Sequence, residues 1–149
     1  LFAQGENIPI LIIKGKANSL AAAQLRYQVL PDNKPLEAVL IAVGDETPSP
    51  MLIERCEEIP SLVVYASYPS ALTERADVIL PATMWAEESG YYLSTDGRLQ
   101  ESKPALIAPE GVRSSLDVIN ALADLVGLSS MKTWKEALTA EPISVQLKM

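Results

Sequence analysis

The stretch LEAVLIAVGDETPSPMLIERCEEIPSLVVYA (residues 36–66) decides the fold class of this chain. It contains two short, continuous apolar runs, residues 36–43 and 61–66, which are rich in β-branched side chains. Such runs are typical of strands that are buried on both faces of a sheet. A connection of this length between two strands predicts a crossover and therefore parallel pairing.

The connection itself contains a helix signal. Ser49 is suited to the N-cap and Pro50 to the first helical position. Leu52, Cys56 and Ile59 then recur at helical spacing and are expected to face inward. The stretch is therefore a strand–helix–strand unit.

The same alternation continues in both directions along the chain. Upstream, residues 8–14 (IPILIIK) predict a strand and residues 19–30 a helix. Downstream, residues 71–76 predict a short helix and residues 77–81 a short strand. We therefore expect the α/β class, with a Rossmann-like three-layer parallel sheet that carries helices on both faces.

The C-terminal part is less regular. Residues 85–109 show no sustained period and are predicted to be irregular or weakly extended. Two closing helices follow, at residues 114–127 and 130–141; the first has an apolar stripe of Leu116, Ile119, Leu122, Ala123 and Val126. The chain opens without an initiator methionine, so we expect residues 1–149 to be one α/β domain excised from a longer subunit.

Charge and composition exclude several classes of function. The net charge is −7, and no Lys/Arg cluster occurs along the chain, so nucleic acid is not an expected partner. No apolar run approaches the roughly 18 residues of a bilayer span, so we expect no direct membrane insertion. The one cysteine, Cys56, and the lack of histidine leave no iron–sulfur or zinc site and no histidine-based triad. No catalytic or metal-ligating residue is therefore predicted, and whether the protein takes part in an enzyme stays open at this point.

Ligands of open parallel sheets bind beyond the carboxyl ends of the strands. Asp45 and Glu46 follow the strand at residues 36–43; their carboxylates could bond a ribose or a guanine edge, or they could be solvated acids near a helix start. Arg98 could hold a pterin or a phosphate, or it could form an ion pair with Asp96 or Glu87.

Other carboxylates have simpler interpretations. Asp77 opens a strand, where aspartate more often bonds turn N–H groups. Glu87 and Glu88 are adjacent, and adjacent residues do not share a face of a helix or a strand, so an acid/base pair is not expected.

The segment ADVILPATMWAEESGYYLSTDGRLQ (residues 76–100) resembles the molybdopterin oxidoreductase superfamily. The family pattern is A-D-V-V-L-P-x-x-x-x-x-E-x-x-G-x-x-x-N-x-E-G-R-x-Q. The positions matched in register are Ala76, Asp77, Val78, Leu80, Pro81, Glu87, Gly90, Gly97, Arg98 and Gln100. Upstream, AVLIAVGDET is similar to a strand ending in V-G-E-N-P, and KANS, with Asn18, is similar to an Asn-containing loop.

The resemblance implies one of two related α/β domains that hold a molybdopterin guanine dinucleotide in catalytic members. The positions that it places at the cofactor, in vestigial or weak form, are Asn18, Gly44, Asp45, Glu46, Ser70, Asp77, Glu87, Ser94 and Arg98. Several of these depart from the family. Glu46 and Ser94 stand where the family has Asn, Asp96 replaces a Glu, and Ser70, Ala71 and Leu72 replace Thr-Glu-Thr. These changes alter the donors and acceptors that are offered to a ligand.

Three hypotheses follow. The first is a structural domain of the large subunit of a NADH:quinone oxidoreductase (complex I), cytoplasmic, with no cofactor in this fragment and with other domains and subunits as partners. This subunit would be peripheral to the inner membrane. The second is a cofactor-binding domain of a molybdenum or tungsten oxidoreductase, such as formate dehydrogenase or nitrate reductase. The third is a small nucleotide-binding module, which equilibrium dialysis with guanine nucleotides would test.

Overall fold

The computed structural model describes residues 17–25, 35–94 and 97–127. The chain divides into two compact units. The sheet unit comprises Gln28–Gly90 and Glu101–Lys132, and the hairpin unit comprises Leu1–Tyr27, Tyr91–Gln100 and Thr133–Met149. The strand predicted at residues 8–14 and the helix predicted at residues 130–141 lie outside the described residues, as do residues 26–34. Of the helix predicted at residues 19–30, the structure describes α1 (Ser19–Gln24).

The sheet unit is built on three parallel strands. These are β1 (Ala38–Gly44), β2 (Ser61–Ala66) and β3 (Val78–Pro81), in the order β1-β2-β3. Both pairs are parallel: Ala38 pairs with Ser61, and Val63 pairs with Val78. The α/β class with a parallel sheet, predicted from the alternation of elements, is confirmed.

Helices connect these strands. α2 (Pro50–Cys56) joins β1 to β2, and α3 (Ala71–Arg75) joins β2 to β3. The predicted cap of α2 is confirmed, because the Ser49 hydroxyl accepts a hydrogen bond from Leu52 N and Pro50 is the first helical residue. Both helices are short. The chain leaves the helix after Cys56 and after Arg75 and soon enters the next strand.

One face of the sheet carries the core. Leu62 and Val64 of β2, Cys56 of α2 and Leu72 of α3 are all fully buried. The other face is more open: Leu40 of β1 is 45% exposed and Val78 of β3 is 48% exposed. The apolar runs predict strands that are buried on both faces. In the described part of the chain, one face of the sheet is buried more completely than the other.

The segment expected to be irregular or weakly extended contains regular elements. Residues Trp85–Glu87 form a short 3-10 helix, and β4 (Gly90–Leu93) and β5 (Leu99–Ser102) form a two-stranded sheet. The connection between them is too short for a crossover, so the pair is a hairpin. Gly97 supplies a positive φ of 85° in the turn. The strands are only four residues long, so their alternation is too brief to be recognised in the sequence.

The helix that ends the described chain is α4 (Ser115–Leu125), capped by Ser114 and ended at Gly127, which has φ 71°. Its predicted apolar stripe is largely exposed, with Leu116 61% and Ile119 57% exposed. In the described part of the chain, no helix has the length and apolar character that crossing a bilayer requires.

Candidate functional site at the carboxyl edge of the sheet

The carboxyl ends of the three strands form one edge of the sheet unit. Gly44 ends β1 with φ 57°, a conformation that favours glycine. Ser67 N donates to Gly44 O at 2.7 Å, and Ala82 N donates to Ala66 O at 3.0 Å. The residues that follow each strand are therefore tied to the end of the neighbouring strand.

Residues 82–88, which we call the edge segment, bond to the residues that follow β1 and β2. Ser67 Oγ donates to Thr83 O at 3.2 Å, and Tyr68 Oη lies 3.8 Å from Met84 Sδ. Trp85 N donates to the Asp45 carboxylate at 3.4 Å. The edge where a ligand was expected is thus in contact with the chain's own backbone and side chains.

The two adjacent glutamates of the edge segment have different partners. Glu87 Oε2 accepts from Met84 N at 3.0 Å, which closes the turn of the 3-10 helix. Glu88 accepts from Thr83 Oγ1 at 3.0 Å and from Ser115 N at 2.7 Å, and it also accepts from Ser115 Oγ. Because the two carboxylates serve separate backbone positions, they do not form an acid/base pair.

Three predicted residues lie together at the end of β1. Gly44, Asp45 and Glu46 form a turn in which Glu46 N donates to Val43 O at 3.0 Å. Asp45 is held by the edge segment as described. These three residues therefore lie at the carboxyl edge of the sheet, where the sequence predicts them.

Ser70 and Asp77 are used within the framework. Ser70 and Thr73 form a reciprocal capping box at the start of α3, with Thr73 N to Ser70 Oγ at 3.3 Å and Ser70 N to Thr73 Oγ1 at 2.7 Å. Asp77 lies at the amino end of β3, where its carboxylate accepts from Leu62 N at 2.7 Å. Asp77 is thus at the opposite end of the sheet from the edge segment, and it bonds a backbone N–H, as is common for an aspartate that opens a strand.

The remaining predicted residues belong to the hairpin unit. Asn18 has a left-handed backbone, φ 58°, and its side chain bonds β4 through Tyr91 O at 2.9 Å and Leu93 N at 2.8 Å. Ser94 Oγ accepts from Arg98 N at 3.0 Å and lies 3.1 Å from Arg98 O, which shapes the hairpin turn. Arg98 is exposed, and Asp96, one of its suggested partners, lies outside the described residues.

Sequence reasoning missed Thr83 and Ser115 as members of this edge. Thr83 is buried and Ser115 begins α4, yet neither belongs to a recognised motif. The available sequence signal was the pair of serines, Ser114 and Ser115, at the start of α4. One hydroxyl is enough to cap the helix, so the second can bond another group.

Grooves occur elsewhere on the sheet unit. One of about 520 Å³ lies at the amino ends of β1 and β2, and its charged lining comprises Glu37, Glu54, Arg55, Glu57 and Glu58. A smaller one of about 280 Å³ lies between Leu80 of β3 and Leu122 of α4. Neither coincides with the turn at Asp45. Among the described residues, no cluster of His, Cys, Asp and Glu could hold a metal ion.

Comparison with known proteins gives a consistent family. Residues 6–125 match the model of the molybdopterin oxidoreductase family. The chain is 29% identical over 127 residues to the mitochondrial NADH-ubiquinone oxidoreductase 78 kDa subunit of Candida albicans (strain SC5314 / ATCC MYA-2876), covering 83% of this chain and 17% of that protein.

Two further relatives are similar over shorter stretches. The assimilatory nitrate reductase of Haloferax mediterranei is 37% identical over 62 residues, which is 42% of this chain and 9% of that enzyme. The NADH-ubiquinone oxidoreductase 75 kDa subunit of Reclinomonas americana is 37% identical over 51 residues, which is 34% of this chain and 7% of that subunit. The chain thus spans a small part of each relative's length.

Proposed function

The chain belongs to the molybdopterin oxidoreductase family, and on that premise we propose that it is a structural α/β domain of a complex I-type large subunit. In this proposal residues 1–149 form one domain of a longer protein in respiratory electron transfer. The domain keeps the family fold and has lost the capacity to hold a pterin cofactor.

The observation that carries the proposal is the internal bonding of the carboxyl edge. The Asp45 carboxylate accepts a hydrogen bond from Trp85 N, and the Glu88 carboxylate accepts hydrogen bonds from Thr83 and Ser115. A nucleotide bound there would have to displace these bonds, and the buried Thr83 hydroxyl would lose about 1–3 kcal/mol of hydrogen-bonding free energy if it stayed unpaired. The edge is therefore arranged for internal packing.

The substituted family positions support the same conclusion. Leu72, which stands in place of a threonine of the family's Thr-Glu-Thr, is fully buried in the core. Ser70 is bonded within its capping box. Since these two side chains serve the stability of α3, the residues present do not fit the family's cofactor, and no chemical step is assigned through it.

The partners in this proposal are other domains of the same subunit and further subunits of the complex. Two of the relatives are named as subunits of NADH-ubiquinone oxidoreductase, which supports an assembled setting. We place the protein on the cytoplasmic side, held peripherally to the inner membrane through the complex.

Metal and pterin analysis of the purified full-length protein tests the proposal. We expect molybdenum and tungsten far below one atom per chain and no pterin fluorescence after oxidative release. An assimilatory nitrate reductase produced in the same host is the positive control, because it shows that the host supplies the cofactor. Stoichiometric molybdenum or tungsten in this protein would overturn the proposal.

A second candidate is a working molybdopterin guanine dinucleotide-binding domain of a molybdenum or tungsten oxidoreductase. It is favoured by the similarity to an assimilatory nitrate reductase and by the exposed Arg98 in the hairpin turn. In that case Arg98→Ala should lower cofactor occupancy in the full-length protein, whereas Arg55→Ala, at the far end of α2, should leave occupancy unchanged. Equal occupancy in both variants would count against this candidate.

A further inference from the structure

Glu88 connects three parts of the sheet unit through one carboxylate. Its Oε1 accepts from the backbone N–H and the hydroxyl of Ser115, the first residue of α4. Its Oε2 accepts from the hydroxyl of Thr83, which is only 6% exposed. Thr83 is in turn held through its carbonyl by Ser67, which follows β2.

These donors are of the kind that binds anions. The first N–H groups of a helix have no partner within the helix, and the helix dipole places partial positive charge there. Together with neighbouring hydroxyls, such N–H groups are a common binding site for phosphate. In this chain the position beside Ser115 is filled by a side-chain carboxylate of the same unit.

A second carboxylate adds negative charge to the same helix start. Asp117 lies in the first turn of α4, and Ser114 Oγ donates to Asp117 Oδ2 at 2.8 Å. Asp117 N is bonded to Ser114 Oγ at 3.2 Å. A phosphate approaching this helix start would therefore meet two carboxylates, of which Glu88 is the one that occupies the N–H and the hydroxyl of Ser115.

We propose that Glu88 is an internal anion that fastens α4 to the edge segment and excludes phosphate-bearing ligands from this part of the carboxyl edge. The inference rests on the proposed function, because it names the group that keeps the edge closed. Loss of the carboxylate leaves the buried Thr83 hydroxyl and the Ser115 donors without this partner. It should release the edge segment and α4 together and make the helix start accessible to anions.

Hydrogen exchange and thermal melting of the full chain test this proposal, with Glu88→Ala as the variant. Amides of residues 82–88 and of the first turn of α4 should exchange roughly tenfold faster in the variant, because a set of charge-assisted hydrogen bonds is lost. Inorganic pyrophosphate should raise the melting temperature of the variant in a saturable way and leave that of the unmodified protein unchanged.

Glu110→Ala is the matched control, since it removes one exposed carboxylate close to α4 in sequence and should reproduce neither effect. Thr83→Val keeps the side-chain shape and removes one donor, so it should show the faster exchange to a smaller degree even where Glu88→Ala fails to fold. Unchanged exchange in folded variants, or pyrophosphate stabilisation that is absent from Glu88→Ala or present in the unmodified protein, would overturn the proposal. Molybdenum in the purified protein would instead bear on the proposed function.

Discussion

The two faces of the three-stranded sheet are built from similar apolar residues, yet their burial differs. On the core face Leu62 and Val64 are fully buried beneath α2 and α3. On the opposite face Leu40 and Val78 of the two edge strands of the described sheet are about half exposed, whereas Tyr65 of the central strand is buried. The difference shows that the apolar composition of a strand does not by itself set burial. The helices packed on a face and the position of the strand in the sheet both decide which side chains contribute to stability.

The largest expected effect comes from a matched pair of leucines on adjacent strands. Leu62→Ala should lower the free energy of unfolding by about 2–5 kcal/mol, because it opens a cavity in the core. Leu40→Ala should cost about 1 kcal/mol or less, because nearly half of that side chain is already in water. Urea denaturation of the full chain measures both values.

Equal losses in the two leucine variants would break the comparison. They would mean that the open face is packed in solution as tightly as the core face. The slope of the denaturation curve should be the same in both variants and in the unmodified protein, since the slope reports the surface exposed on unfolding. Only then can the midpoints be compared as stabilities.

A smaller effect is expected at the helix that brings Leu72 to the core face. Ser70→Ala removes half of the capping box of α3 and should cost about 0.5–2 kcal/mol. Ser89→Ala, at an exposed position, should be neutral. Thermal and urea unfolding compare the two variants; a neutral Ser70→Ala would mean that burial of Leu72 alone fixes the helix.

Cys56 allows the core face to be tested by pH. Burial raises the pKa of the Cys56 thiol above its usual value of 9.0, while Arg75 and Arg55 lower it to a lesser extent. Because the neutral thiol is favoured in the folded state, its contribution to stability is fully present below pH 9.0 and is lost as pH rises through the raised folded value.

The alkaline loss of stability should therefore be smaller in Cys56→Ala than in the unmodified protein. Urea denaturation of both proteins at a series of pH values measures the difference. Parallel curves for the two proteins would contradict the burial of the thiol.

The smallest effect is expected on the exposed side of α4. Ile119 is 57% exposed, so Ile119→Ser should change the free energy of unfolding by about 0.5 kcal/mol or less. A loss of several kcal/mol in urea denaturation would show that this face of α4 is covered in solution. That result would break the comparison between buried and exposed apolar residues, because Ile119 would then be buried in solution.

Much of the framework could be predicted because it depends on local chemistry. The strand at residues 61–66 was predicted with its observed bounds, and Ser49 and Pro50 gave the start of α2. Caps are set by residues two or three positions away, so the sequence contains the whole interaction. The β4–β5 hairpin was missed, since its four-residue strands show too little periodicity.

The candidate site could be predicted only in part, for a related reason. Strand ends placed Asp45 at the carboxyl edge, because the ends of parallel strands share one edge. Its partner Trp85 lies 40 residues away, and Ser115 lies 27 residues from Glu88. No local pattern links such pairs; their meeting depends on how the chain returns across the edge after β3.

Arg75 has a consequence for the way this chain acquires its structure. Its guanidinium donates to Ile59 O at 2.6 Å and to Glu57 O at 3.3 Å, carbonyls that follow the end of α2. Helices of seven and five residues are too short to persist alone in water. Because the last residue of α3 completes the end of α2, the two helices should appear and melt together. They act as one cooperative folding unit, although a strand separates them in the sequence.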